Sequence, residues 1–256
     1  MENGHREVLF QPTKGLIDIA THYCPGCTHG VIHRLVGEVL EELDIIEDTI
    51  GVAPVGCSVL AYDYFACDMF EAAHGRAPAV ATGVKRANPD KIVFTYQGDG
   101  DLAAIGTAEA VHVAARGEKI VTIFVNNCIY GMTGGQMAPT TLSGQKTETS
   151  PYGRDVITQG YPIKFSEMIA QLDGAYYIER VSVDKVAAVA KTKRAIKKAF
   201  QNAIDGKGYN LIEVLSICPT NWGLNTEDSL KWLRENMIPM YPLGVKKDLS
   251  IEEVTP

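Results

Sequence analysis

The sequence predicts an α/β protein built on a parallel sheet flanked by helices. Two observations carry that expectation. Two short runs rich in β-branched and aromatic residues, KIVFTYQ (Lys91 to Gln97) and KIVTIFV (Lys119 to Val125), have the composition of fully buried strands. Between them, LAAIGTAEAVHVAARG is alanine-rich with helical spacing, and Gly117 suits the residue that closes a helix. Strand, helix and strand in that order make a βαβ unit, whose crossover makes the two strands parallel.

The other elements follow along the chain. Val31 to Leu43 has apolar residues at helical spacing. GVAPVG (Gly51 to Gly56) is a short apolar run ending in glycine and reads as a strand. Ala175 to Val183 reads as a strand, and Val186 to Ile204 as an amphipathic helix whose basic face is expected to be solvated. Asn210 to Ile217 reads as the final strand, ending at Cys218. Met137 to Pro162 is rich in Thr, Ser, Gly and Pro and lacks periodicity, so a long functional or disordered loop is expected. Residues 1–256 are expected to form a single domain, with a tail from about 223 to 256 packing on itself or on a partner.

The bulk numbers exclude several classes. The chain has 256 residues, 46% hydrophobic and 21% charged, ample for a core. A net charge of −7 argues against nucleic acid, which selects basic faces. No apolar run approaches the roughly 20 residues that a membrane helix needs. The N-terminus, MENGHREVLFQ, lacks a secretory apolar core, so a cytoplasmic location is expected. The six cysteines are Cys24, Cys27, Cys57, Cys67, Cys128 and Cys218. In that compartment they read as metal ligands, reactive thiols or buried apolar residues rather than disulfides.

GDGD (Gly98 to Asp101) sits where the strand Lys91–Gln97 ends, and NN (Asn126, Asn127) where Lys119–Val125 ends. In a parallel sheet both fall at the carboxyl edge, where open α/β sheets bind ligands. Asp99 offers a carboxylate, Asn127 a side-chain carbonyl and Ile129 a backbone carbonyl, an oxygen set suited to Mg²⁺. Gly98 and Gly100 allow close backbone approach, and the helix after Asp101 can aim its N-terminus at phosphate. TGGQ, with Thr133 and Gly134, adds a flexible, donor-rich turn. The pairing of GDG with a later NN resembles the thiamine diphosphate motif.

CPGC (Cys24 to Cys27) could serve as a redox dithiol, half a zinc site or half an iron–sulfur site. A thioredoxin-like dithiol has no support here. Zinc needs four ligands, commonly two CxxC pairs, whereas iron–sulfur clusters accept dispersed single cysteines. Cys57 (APVGCS) and Cys218 (SICPTNW) follow strand ends. Cys67 and Cys128 read as buried and non-ligating. His5, His22, His33 and His112 have no motif around them and read as surface or packing residues.

CPGCTHG, APVGCS, HGRAPAVATGVK, GDGD, NN and YGMTGGQMAPTT occur in this order. Together they resemble the thiamine-diphosphate-binding β subunit of the 2-oxoacid:ferredoxin oxidoreductase family, of 2-oxoisovalerate or 2-oxoglutarate type. The resemblance implies the thiamine-diphosphate-binding fold. It implies that Cys24, Cys27, Cys57 and Cys218 hold a [4Fe–4S] cluster, and that Asp99, Asn127 and the Ile129 carbonyl hold Mg²⁺. Gly98, Gly100, Asp101, Thr133, Gly134 and Cys57 would border the cofactor, and His29, His74 and Arg76 would stand near the reacting groups. Thr28 and Gln97 depart from the family, where glycine is frequent at both positions; neither change removes a ligand.

The implied reaction is oxidative decarboxylation of a 2-oxoacid to acyl-CoA and CO₂, with coenzyme A as co-substrate and electrons passing singly to ferredoxin. A branched-chain 2-oxoacid such as 2-oxoisovalerate is the first expected substrate, 2-oxoglutarate the next. No glutamate is placed for the aminopyrimidine N1′, so an α subunit is expected to supply it, with γ or δ ferredoxin-like subunits as possible companions. Two alternatives stay open: a non-redox thiamine-dependent carboligase or decarboxylase, and a non-catalytic zinc-binding interaction subunit.

Overall fold

The computed structural model describes residues 11–252, so His5 and most of the N-terminal stretch lie outside it. In chain order the elements are α1 (His29–Glu42), β1 (Thr49–Ala53), α2 (Ala61–Tyr64), β2 (Asp68–Glu71), α3 (Ala77–Ala87), β3 (Ile92–Gly98), α4 (Thr107–Ala115), β4 (Ile120–Asn126), α5 (Val156–Gln159) and α6 (Phe165–Ala170). They continue with β5 (Ala175–Ser182), α7 (Val186–Ile204), β6 (Tyr209–Leu215), α8 (Pro219–Trp222), α9 (Thr226–Trp232), α10 (Ile238–Met240), β7 (Gly244–Asp248) and α11 (Leu249–Glu252).

The sheet has seven strands in the order β2-β1-β3-β4-β6-β5-β7. Neighbours from β2 to β5 all pair in parallel. Strand β4, IVTIFVN, lies in the middle with every residue buried, which is why its sequence is mostly apolar and does not alternate with polar residues. Helices α1 and α7 cover one face, where Phe200 of α7 meets Phe94 of β3 edge to face at 5.7 Å. Helices α3, α4 and α6 cover the other, where Phe165 meets Phe124 of β4 at 5.5 Å. In α7 the buried Ala195, Ile196, Ala199, Phe200 and Ala203 recur at helical spacing. Burying each of its large apolar side chains is worth ~2–3 kcal/mol.

The structure departs from the sequence expectations or adds to them in four places of the fold. The basic face of α7 is not simply solvated. Lys193 pairs with Glu38 and Glu42, Lys197 with Glu42, and Lys198 with Asp248, because α1 and β7 lie beside it. Strand β6 is not the last strand: β7 adds antiparallel to β5 at the sheet edge. Strand β2, inside YDYFACDMF, forms the opposite edge and is largely exposed. The helix after GDGD is not continuous. A wide turn over Asp101–Ile105, closed by the Gly106 N–H on the Asp101 carbonyl at 2.8 Å, precedes α4. Such widened turns gather at functional sites.

The stretch from Met137 to Pro162 is mostly irregular, as expected, apart from α5. The tail beyond Trp222 packs on its own sheet. Leu233, Met237 and Tyr241 are buried with Leu142 and Leu215, and the Tyr241 hydroxyl donates to the Thr140 carbonyl at 2.6 Å.

Candidate active site

Because β1, β3, β4 and β6 run parallel, the residues that follow them emerge along one edge: Cys57, Asp99, Asn127 and Cys218. The N-terminus of α1 is pinned to the same edge. Thr28 Oγ1 lies 2.7 Å from Ser216 Oγ and accepts the Ile217 N–H at 3.2 Å. Thr28, a departure from the family pattern, thus draws the CPGC loop to the strand that ends in Cys218.

A cavity of about 210 Å³ opens over β3 and β4, lined among others by Gly98, Asp99, Gly100, Asp101, Asn127, Ile129 and Thr133. Asp99 is buried and accepts from the Gly100 N–H at 2.9 Å, the Ile129 N–H at 3.2 Å and the Thr140 hydroxyl at 2.6 Å. Burial still dominates and pushes its carboxyl up to about 6. The side-chain oxygen of Asn127 is buried with no partner. An unpartnered buried carbonyl beside a buried carboxylate fits a small hard cation, since such a cation supplies what both lack. Gly100 has to be glycine, because a Cβ there would run into the Tyr130 ring.

The turn that presents Asn127 is held from behind. Cys128 adopts a left-handed conformation with φ 58°, unusual for a side-chain-bearing residue. Its N–H donates to Asn126 Oδ1 at 3.1 Å, and Asn126 Nδ2 donates to Glu213 Oε1 at 2.8 Å. Glu213 in turn is ion-paired with the fully buried Arg180 at 2.8 Å. Substituting Glu213→Leu is therefore expected to leave Arg180 with Glu167 as its remaining carboxylate, to strip Asn126 and Ser166 of their acceptor, and to destabilise the fold by ~1.5–3 kcal/mol, read as a lower urea midpoint. An unchanged midpoint would remove this network from the account of the turn.

Asp101 ties a second loop to the site. It accepts from the Gly75 N–H and from Gln97 Nε2, each at 2.5 Å, and from His74 Nδ1 at 2.9 Å. Gln97, the other departure from the family pattern, thus has a partner inside the motif. His74 lines the cavity. Arg76 lines neither this cavity nor the next; its guanidinium pairs with Glu109 of α4. Gly134 is likewise outside both linings.

A second cavity, about 220 Å³, adjoins the first and is lined by Cys24, Cys27, Cys57 and Cys218 with His22, Tyr23 and Asn221. Burial pushes the Cys27 thiol up to about 11 and the Cys57 thiol up to about 12, with neighbouring cysteines adding to both. Gly131 faces the sulfurs: a Cβ there would lie 3.2 Å from Cys57 Sγ and 3.5 Å from Cys218 Sγ. Among the described residues no three His, Cys, Asp or Glu side chains gather as they would around a single ion. The thiols instead line a chamber, an all-sulfur donor set that fits an iron–sulfur cluster. Cys67 and Cys128 line neither cavity; Cys128 is buried, whereas Cys67 is only half-buried against Met69.

The two cavities share a wall made by His29, Cys57, Asn127, Gly131 and Met132. His29 stacks on Tyr23 at 4.7 Å, and its Nδ1 lies 2.9 Å from the Tyr96 hydroxyl. Burial pushes its imidazole down to about 3, so it is neutral at physiological pH. His33 packs in the core, stacked on Phe65, and His112 is exposed, as the sequence suggested. His22 does more than expected: it lines the thiol chamber, held by the Tyr64 hydroxyl at 2.6 Å from its Nδ1. The sequence reading also passed over Tyr23, Tyr96, Tyr130 and Asn221. Adjacency to Cys24 and Cys218 could have flagged Tyr23 and Asn221; Tyr96 looked like any other strand residue.

Comparison with known proteins agrees with this geometry. Residues 54–214 match the family model of the thiamine pyrophosphate enzyme C-terminal TPP-binding domain. The ketoisovalerate oxidoreductase subunit VorA of Methanothermobacter thermautotrophicus is 49% identical over 95% of this chain and 51% of its own length. The chain thus spans about half the length of the VorA relatives it matches. The 2-oxoglutarate synthase subunit KorB of Methanocaldococcus jannaschii is 40% identical over 91% of this chain and 83% of its own length. A solved 2-oxoglutarate:ferredoxin oxidoreductase from Magnetococcus marinus, with 2-oxoglutarate, coenzyme A and succinyl-CoA bound, superimposes with a TM-score of 0.74 at 27% identity, covering 90% of this chain and 75% of that one. The motifs at the carboxyl edge and these likenesses agree: the chain belongs to the thiamine pyrophosphate enzyme family, on the branch that holds the VorA and KorB subunits of 2-oxoacid oxidoreductases.

Proposed function

We propose that this chain is the thiamine-binding β subunit of a 2-oxoacid:ferredoxin oxidoreductase, which converts a 2-oxoacid to acyl-CoA and CO₂ and delivers electrons to ferredoxin. The observation that carries this reading is the wall shared by the cavity that holds Asp99 and Asn127 and the thiol-lined one. Bound thiamine diphosphate supplies an electron sink for decarboxylation, and a neighbouring cluster accepts electrons singly. Asp99, Asn127 and the Ile129 carbonyl would hold the Mg²⁺ that anchors the diphosphate. Cys24, Cys27, Cys57 and Cys218 would hold the cluster. His29, neutral and fixed by Tyr96, separates the two without adding charge. Tyr23, stacked on it, lines the thiol side of that wall.

The 49% identity with the ketoisovalerate oxidoreductase subunit VorA supports 2-oxoisovalerate as the substrate. Among the described residues no glutamate lines either cavity, which supports a partner α subunit that supplies the N1′ carboxylate. Ferredoxin-like γ or δ subunits, and a cytoplasmic location where thiols stay reduced, complete the reading. No helix of the described residues is long and apolar enough to cross a membrane.

The test is anaerobic purification of the complex, with iron, zinc and thiamine counted per β chain and ferredoxin reduction followed with each 2-oxoacid. Iron with stoichiometric thiamine, and faster reduction with 2-oxoisovalerate than with 2-oxoglutarate, is the expected result. Thiamine without iron would point to a non-redox carboligase or decarboxylase. Zinc without thiamine would leave a structural metal subunit.

A further inference from the structure

Asn221 joins the two cavities by a route that the reaction itself does not require. It lies on α8, three residues beyond Cys218. Its Nδ2 donates to the Gly131 carbonyl at 2.8 Å and stands 3.3 Å from Cys218 Sγ, within reach of an N–H···S bond. Gly131 is the residue whose missing side chain leaves room beside the Cys57 and Cys218 sulfurs, and Met132 and Thr133, which follow it, line the first cavity. The fit around Asn221 is close on a second side. A Cβ on Gly135 would lie 3.2 Å from Asn221 Cβ and Oδ1. One amide group therefore braces the thiamine-side loop and donates to a thiol of the chamber.

We propose that Asn221 is a positioning residue that raises the reduction potential of the cluster by donating an N–H to Cys218 sulfur, and that holds the Gly131 loop at the wall between the cavities. The physical sense is direct. Each electron that enters the cluster adds negative charge, part of it on the sulfurs. A donor aimed at sulfur stabilises the reduced form more than the oxidised one. Without it the cluster becomes a poorer acceptor for electrons leaving the first cavity. This inference rests on the cluster assignment made above.

The experiment uses the anaerobically purified complex, with Asn221→Leu and Asn221→Asp variants. Leucine removes the donor; aspartate keeps the shape, removes the donor and adds charge. The readouts are iron per chain and the midpoint potential from a redox titration followed by electron paramagnetic resonance. The signal of this chain is the one lost in Cys218→Ser. At the wild-type midpoint, about ten oxidised clusters for each reduced one are expected in Asn221→Leu, a tenfold shift that corresponds to 59 mV for one electron. Asn221→Asp should shift further the same way, with iron per chain unchanged in at least one variant. Full iron with an unshifted potential in both variants would overturn the inference and leave the cluster assignment standing. Loss of iron from both would also overturn it, by making Asn221 a structural support only. Absence of any signal dependent on Cys218 in the wild type would instead overturn the cluster assignment.

Discussion

Replacing Cys218 with serine is expected to remove the iron held by this chain and to reduce ferredoxin reduction to background, while bound thiamine stays stoichiometric. Cys218 is the residue of the chamber contributed by the end of β6, and it is only 8% exposed. A serine oxygen is a harder and far less acidic donor than a thiol, so it does not replace a soft thiolate ligand. Thiamine should remain because Asp99 and Asn127 directly follow β3 and β4, whose pairing does not involve the mutated side chain. Cys67→Ser provides the contrast. Cys67 lines neither of the two cavities and should keep its iron count. If Cys218→Ser retains full iron, the ligand set proposed above is wrong.

The Asp99→Asn substitution is expected to weaken Mg²⁺-dependent thiamine diphosphate binding by at least ~100-fold, the scale of the 3–5 kcal/mol lost when one member of a buried charge pair is removed. The three donors around Asp99 explain why the amide is a poor substitute. Two backbone N–H groups and the Thr140 hydroxyl converge on its two oxygens, so the NH₂ of an asparagine would meet at least one donor head on. The fold should survive, because burial already disfavours the charged carboxylate and holds it up to about 6. The measurement is thiamine retained after gel filtration across a magnesium titration, beside a thermal melt of the same sample. Retention at unchanged magnesium dependence would remove Asp99 from the metal site.

The strands and helices that pack on both faces were legible in the sequence, because each carries its own period. Ile92–Gln97 and Ile120–Val125 are buried and mostly apolar with no alternation, and α7 matches its expected bounds, Val186–Ile204. The edge strands were not legible. GVKKD of β7 is partly wet and polar, and DMFE of β2 faces solvent for most of its length, so neither shows a strand pattern. The break between the Asp101 turn and α4 was hidden for another reason. It arises where Gly75, from a distant loop, packs against Gly106, and a helical pattern within one segment cannot report that contact.

The same division runs through the site. Donor type is a local property, so the residues alone reveal that thiols follow two strand ends and flank the CPGC turn, and that a carboxylate and an amide follow two more. They also give the order of these groups and the family they resemble. Which of these groups share a cavity is set by packing between distant segments. Arg76 and His74 are two residues apart, yet His74 lines the first cavity while Arg76 turns away to Glu109. Cys24 and Cys218 stand at opposite ends of the chain, yet they line the second cavity together. That meeting depends on β6 inserting beside β4 and on Thr28 reaching Ser216. Contacts set by strand order and long-range packing leave no periodic trace in the chain, and Asn221, bonded to a loop ninety positions away, is the plainest case.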